Sequence, residues 1–287
     1  MNLFQTCAVI ASNSAQAAQI KERIEDRVNA GLYPREIEFR VLCDPDRGRV
    51  GSGGAAILAA HELSDRLRRG EAVLLINAGG ESRRMPSYSI EGKLFAPLPV
   101  PSSSLFPPVV LDQQLALFIR YPWNRGELVV SSGDVTIDFD LDALPEDRGE
   151  VCGFAKADSF EIGAQHGVFK FDRNRAKVIN FYQKESAEFL RGHAALEGSG
   201  ACALDIGIVG FSSAGVERLM SLAEAQNSDG ETFLEILRQG RASLDLYVEL
   251  IMAFLPGISV GEYGEKVGVH SSLDSETLGA IYTAFRA

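Results

Sequence analysis

The stretch Leu74–Pro99, LLINAGGESRRMPSYSIEGKLFAPLP, decides how this chain is read. Val73–Ile76 is a short β-branched and aliphatic run that ends in Asn77, Ala78, Gly79 and Gly80. This is the pattern of a buried strand entering a loop without bulky side chains. Glycines accept φ > 0 and expose successive N–H groups, so such a loop can wrap a phosphate chain. Arg83, Arg84 and Lys93 supply positive charge beside it. The combination points to a nucleoside triphosphate.

Upstream, Thr6–Ala11 (TCAVIA) reads as a buried strand, and Ala15–Asn29 carries Ile20, Ile24 and Val28 at helical spacing until Gly31 stops it. Glu38–Cys43 alternates like a second strand. The run Gly51, Ser52, Gly53, Gly54 then reads either as a tight turn or as a loop facing phosphate or base, ahead of a helix over Ala55–Arg69. Downstream, a Pro- and Ser-rich loop leads to a helix at Leu111–Phe118 and a strand at Glu127–Ser132. That strand ends in Gly133 and Asp134, an acid at the carboxyl edge, where open α/β sheets bind ligands; a capping or turn role is the alternative. Asp138, Asp140 and Asp142 read as solvated or capping residues.

From Val151 the pattern changes to short strands, VCGFAKA, HGVFKFD and KVINFYQKE, with Asp172–Arg175 turning between the last two. Lys184 stands at the end of this set, where a lysine is solvated unless its context assigns it a role. Ala203–Phe211 is a further buried strand interrupted by Asp205 and Gly207, and a buried acid there requires a partner or a ligand. Helices are expected over Ala214–Ala225, Thr232–Arg238, Leu246–Leu255 (with Asp245 as N-cap) and Ser275–Phe285, and a glycine-rich turn region over Gly257–Gly268. Strand and helix alternate up to Asp134, and hairpins and helices follow. The expected fold is therefore α/β, with a mostly parallel, mixed central sheet flanked by helices.

The 287 residues, 46% of them apolar, suffice for one large core. A net charge of -11 without a basic run argues against sequence-independent nucleic-acid binding. Apolar runs end well short of the about 18 residues that a membrane span needs. The expectation is a soluble, cytoplasmic protein. Cys7, Cys43, Cys152 and Cys202 are isolated and read as buried free thiols. His61 reads as a helix-surface residue, His166 as lying in a turn and His193 in a loop, and no Ser, His, Asp constellation supports hydrolase chemistry.

Five ordered motifs carry a family resemblance: DPDRGRVGSGGA (Asp44–Ala55), NAGGESRRMP with GKLFAPLP (Asn77–Pro99), SSGDV (Ser131–Val135), HGVFKFD with FYQK (His166–Lys184) and LDIGI (Leu204–Ile208). Together they resemble the GDP-L-fucose pyrophosphorylases, or fucose-1-phosphate guanylyltransferases, among the sugar-1-phosphate nucleotidyltransferases. The resemblance implies a Rossmann-like nucleotidyltransferase fold. In it, Ala78, Gly79 and Gly80 with Ser82 and Arg83 form the triphosphate loop, and Arg84 and Lys93 meet the phosphates. It also implies that Asp134 binds Mg2+, that Lys184 holds the sugar phosphate, and that Asp205 and Gly207 lie near the sugar ring. Gly51, Ser52, Gly53 and Gly54 would face the nucleotide. Ser82 and Arg83 stand where the superfamily usually has Gly and Thr; Glu81 and Asp134 are candidate partners for Arg83. The last family motif is eroded to His270, Ser271, Ser272, Leu273. The family commonly continues into a C-terminal β-helix or a sugar kinase, so residues 1–287 are expected to be a single catalytic domain, minimal or a fragment.

The implied reaction is attack of a sugar-1-phosphate oxygen on the α-phosphorus of GTP, giving GDP-L-fucose and pyrophosphate. Its nucleophile is already an anion, so catalysis reduces to holding and neutralising two phosphates. The implied partners are small molecules, with no nucleic acid and no membrane; oligomeric state is not legible. A nucleotide-sugar-binding regulatory module of the same fold is the alternative, and a dinucleotide-dependent reductase using GSGGA a weaker one.

Overall fold

The computed structural model describes residues 4–78, 92–101, 105–172, 177–269, 271 and 273–286. Eight strands build one sheet: β1 (Thr6–Ala11), β2 (Glu38–Cys43), β3 (Val73–Asn77), β4 (Leu128–Ser132), β5 (Val151–Asp158), β6 (Gly167–Phe171), β7 (Val178–Gln183) and β8 (Cys202–Phe211). The order is β2-β1-β3-β4-β8-β6-β7, with β5 paired to β8. Pairing is parallel from β2 through β4 and turns antiparallel at β8. The mixed α/β class expected from the sequence is the one observed, and β6 and β7 form the expected hairpin pair.

The helices are α1 (Ser14–Asn29), α2 (Gly51–Glu62), α3 (Ser64–Arg68), α4 (Val110–Phe118), α5 (Phe160–Gly163), α6 (Ala187–His193), α7 (Ser213–Glu224), α8 (Phe233–Arg238), α9 (Met252–Phe254), α10 (Val260–Gly268) and α11 (Ser275–Arg286). Strand alternation divides them between two faces. Leu74, Ile76 and Val129 pack with Ile20 and Ile24 of α1 and Leu115 and Phe118 of α4. Val73, Leu75, Leu128 and Val130 pack on the other side with α2, α7, α8 and α11.

Five expectations need correction. The GSGGA run is neither loop nor turn: α2 begins at Gly51 and is buried from Gly53 to Ala60. Burial on every side explains its small residues, because only Gly and Ala let so many neighbours approach one helix. The Ala55–Arg69 helix is accordingly replaced by α2 and α3, separated at Leu63. Gly257–Gly268 is not all turn, since Val260–Gly268 is helical. Ser259 and Glu262 form a reciprocal capping box there, and Tyr263 and Val267, four residues apart, are buried against the core. Among the thiols, Cys7 and Cys202 are buried, whereas Cys43 is exposed and Cys152 half-buried. His193 closes α6, its ring stacked on Phe189 at 4.1 Å, instead of lying in a loop.

Candidate active site

The carboxyl edge of the parallel strands brings together Lys93, Asp134, Asp205 and Gly207 among the residues singled out in the sequence. β4 ends at Ser132, and the following turn presents Asp134. Asp134 Oδ1 accepts a hydrogen bond from Ser132 Oγ at 2.8 Å, and Oδ2 accepts one from Lys93 Nζ at 2.7 Å. Lys93 is aimed from the first residue of a 3-10 turn, Lys93–Phe95, whose Leu94 and Phe95 are buried. Burial pushes the Asp134 carboxyl up, but the Lys93 and Ser132 hydrogen bonds and the ammonium charge outweigh it and hold the group below the usual carboxylate range. The acid therefore stays ionised. Its side chain is 43% exposed, so it can still meet a ligand.

A bulge in β8 brings Asp205 and Gly207 to the same edge. Between the pairs Gly153↔Val209 and Ala155↔Asp205, Phe154 of β5 is matched by Ile206, Gly207 and Ile208 of β8. Bulges of this kind re-aim side chains at sheet rims. Gly207 takes φ +78, and a Cβ there would stand 3.1 Å from Ser132 Cβ. The glycine thus serves both the bulge and its close approach to β4. Asp205 Oδ1 accepts from Gly207 N at 3.2 Å and from Tyr247 Oη at 3.1 Å. Burial pushes the Asp205 carboxyl up to about 7, against those two hydrogen bonds, and the charge of Asp245 adds to the rise.

The segment carrying Tyr247 also meets α2. Leu246 N donates to Ser52 Oγ at 2.9 Å, and Gly53 N donates to Leu244 O at 2.9 Å. Gly51 takes φ +75, and an added Cβ would lie 2.2 Å from Leu244 O. At Gly53 a Cβ would lie 3.1 Å from Asp245 O, and at Gly54 2.8 Å from Val50 Cβ. Close backbone packing accounts for these three glycines without a ligand, and it ties GSGGA to the Asp205 side of the edge.

Ala78 is buried behind β3, its N–H donating to Ile10 O at 3.0 Å. Asn77 Oδ1, buried and without a hydrogen-bond partner among the described residues, belongs to the side of β3 that carries Val73 and Leu75. Lys184 is exposed at the end of β7, in the left-handed region at φ 54, with its N–H bonded to His166 O at 2.9 Å. Gly167 pairs with Gln183, and Val168 with Leu204, so the register sets Lys184 near the level of Asp205. Two strand spacings, about 10 Å, separate it from β8. Among the described residues no ion pair engages its ammonium. Gly79, Gly80, Ser82, Arg83 and Arg84 lie outside the described residues, as does His270. Of the two partners considered for Arg83, Glu81 also lies outside them, and Asp134 is engaged by Lys93.

Ser132 and Tyr247 were not identified from sequence. Ser132 sits inside the SSGDV motif, but its bond to Asp134 becomes visible only once the turn is built. Tyr247 lies 42 residues from Asp205 along the chain, and its only sequence signal is that an acid inside a buried strand needs a donor.

Among the described residues no group of three His, Cys, Asp or Glu side chains could hold a metal. Mg2+ keeps several waters and is commonly held by one or two carboxylates plus substrate phosphates. A single ionised, accessible acid, Asp134, fits an ion that arrives with a triphosphate.

Comparison with known proteins agrees with the motifs. Human fucose-1-phosphate guanylyltransferase is 27% identical over 172 residues, covering 58% of this chain and 28% of that protein. An L-fucokinase/L-fucose-1-P guanylyltransferase from Bacteroides fragilis is 27% identical over 259 residues, 84% of this chain and 24% of that one. A bifunctional fucokinase/GDP-fucose pyrophosphorylase from Arabidopsis thaliana is 26% identical over 254 residues, 74% of this chain and 23% of that one. The chain thus corresponds to a limited part of each relative's length. The model of the fucose pyrophosphorylase domain matches residues 65–279, from α3 into α11 and through every antiparallel strand, and the chain belongs to that family.

Proposed function

We propose that this domain transfers GMP from GTP to L-fucose-1-phosphate, yielding GDP-L-fucose and pyrophosphate. The observation that carries the reading is the Lys93–Asp134 pair, 2.7 Å apart at the carboxyl edge of β4, in a chain of the fucose pyrophosphorylase family. Lys93 serves as a cation for the phosphates, Arg84 as a second from the glycine loop, and Lys184 as the holder of the sugar phosphate. Mg2+ at Asp134 would supply charge neutralisation at the triphosphate. The loop residues Ala78, Gly79, Gly80, Ser82 and Arg83 would enclose the triphosphate. Of Gly51, Ser52, Gly53 and Gly54, the half-buried Gly51 and Ser52 would border the nucleotide, with the buried Gly53 and Gly54 packed behind them, while Asp205 and Gly207 border the sugar. Because the sugar phosphate enters as an anion, no general base is required, and the cations act by letting two negative reactants meet in line.

The four unpaired cysteines suit a reducing cytoplasm, and no described helix is long and apolar enough to cross a membrane. A net charge of -11 favours small-molecule substrates over nucleic acid.

The test is pyrophosphate release by the purified chain with GTP, L-fucose-1-phosphate and Mg2+, compared with a panel of other nucleoside triphosphates and sugar-1-phosphates. Preferential release with GTP and fucose-1-phosphate is expected. Binding without release would favour a regulatory module, and equal release across the panel would remove the fucose and guanine assignments.

A further inference from the structure

We infer that Tyr247 is a positioning residue for the sugar-phosphate substrate, fixing the Asp205 carboxylate so that its second oxygen is presented to substrate hydroxyls. This rests on the transfer reaction proposed above. Both donors that reach Asp205, Tyr247 Oη at 3.1 Å and Gly207 N at 3.2 Å, bind the same oxygen, Oδ1. Oδ2 is bound by neither. A carboxylate anchored through one oxygen keeps a fixed orientation and offers the other as an acceptor for hydroxyl donors. The bulge places this acid at the rim beside Gly207, whose missing side chain lets β8 approach Ser132 of β4 closely.

Tyr247 is itself held on several sides. Its ring stacks on Phe181 of β7, with centroids 5.0 Å apart and planes 17° from parallel. Its backbone lies in a π-helical turn, Leu246–Ile251, and Asp245 caps that turn by accepting from Tyr247 N at 2.8 Å and Val248 N at 3.0 Å. Single π turns recur at functional sites, and here the wider turn sets the tyrosine against β8. Phe181 lies three residues before Lys184, so one ring contact links the strand that ends in the proposed phosphate-holding lysine to the acid beside the sugar. The titratable groups that act on Asp205 are Tyr247 and Asp245, both from the segment entering this turn. Burial keeps the Tyr247 hydroxyl protonated and therefore a donor.

Tyr247→Phe keeps the ring stack and removes only the donor. The expected result is a roughly 10-fold rise in KM for the sugar-1-phosphate, with KM for the triphosphate and kcat each changed less than about twofold, the cost of one hydrogen bond to a charged group. The acid limb of the sugar-phosphate KM profile should also move to higher pH, because the lost hydrogen bond favours the ionised acid. In an Asp205→Ala background, which has no acceptor left for the tyrosine, the same substitution should add less than about twofold, since the two act as one unit. Equal increases in both KM values, or an undiminished effect in the Asp205→Ala background, would overturn the inference. A wild-type chain without pyrophosphate release would instead refute the transfer reaction. Positioning is then read without turnover, from the carbon-13 titration of the Asp205 carboxyl, which must shift upward in Tyr247→Phe for the inference to stand.

Discussion

Asp134 engages a different donor through each of its oxygens, and this fixes what its replacement does. Asn at this position keeps an acceptor for Ser132 but loses the charge that faces Lys93. The side chains are 22% and 43% exposed, so the ion pair contributes at most about 1 kcal/mol to folding. Asp134→Asn should therefore leave the urea midpoint nearly unchanged while pyrophosphate release falls about 100-fold or more, through loss of charge neutralisation at the phosphates. Gly207→Ala behaves in the opposite way. At φ +78 with Ser132 Cβ at 3.1 Å, the methyl group is strained in both backbone and packing, and a destabilisation of about 1–3 kcal/mol is expected by chemical denaturation. Asp134 was legible as an acid just beyond a strand and Lys93 as a cation following the glycine loop, but that the two pair is visible only in the structure. Tyr247 was not, because its contact joins a π turn to a bulge, neither of which has a periodic signature.

At the level of elements, strands were easier to place than helix beginnings. TCAVIA, buried throughout, and EFRVLC, an edge strand with no fully buried residue, both appear at their expected bounds because local β preference is clear there. Asp245 was readable as an N-cap for the same reason, and it caps as expected. GSGGA and the 257–268 region misled because glycine's local cost in a helix, about 1 kcal/mol each, was outweighed by contacts that sequence spacing does not display. In α2 those contacts are the backbone of Leu244 and Asp245, against which no larger residue fits. In α10 they are Tyr263, Val267 and a complete capping box. Ser259 Oγ accepts from Glu262 N at 3.2 Å, while the Glu262 carboxylate accepts from both Ser259 N and Ser259 Oγ. A helix containing Gly261, Gly264 and Gly268 has little intrinsic stability, so its start depends on this box. Ser259→Ala should cost about 1 kcal/mol, read as a lower urea midpoint, with earlier amide exchange in α10 than in α1.

Across the whole molecule, folding and pH are linked through Asp205, because its half-buried place at the β8 bulge disfavours the charged carboxylate. The folded protein holds its carboxyl at about 7, against an ordinary value of 3.8. Below the lower value both folded and unfolded chains are protonated there, and the group has no effect on their balance. Between the two values the unfolded chain releases the proton and the folded chain keeps it, so stability falls as pH rises. Above the upper value both are ionised and the loss is complete. Asp134 runs the other way: its lowered value gives stability at neutral pH that disappears in acid. The comparison of wild type with Asp205→Asn isolates the first effect, since the amide keeps an acceptor for Tyr247 and Gly207 while having no proton to lose. The variant should gain stability relative to wild type between about pH 4 and 7 and hold a constant advantage above, on the order of 1–3 kcal/mol. Urea denaturation at several pH values measures it. A difference that does not change with pH would mean that Asp205 ionises as readily in the folded chain as in the unfolded one, and that the polar rim is open to water there. If Asp205 accepts from substrate hydroxyls as inferred above, the expected gain marks a trade: an amide would fold better but would present a neutral, weaker acceptor to them.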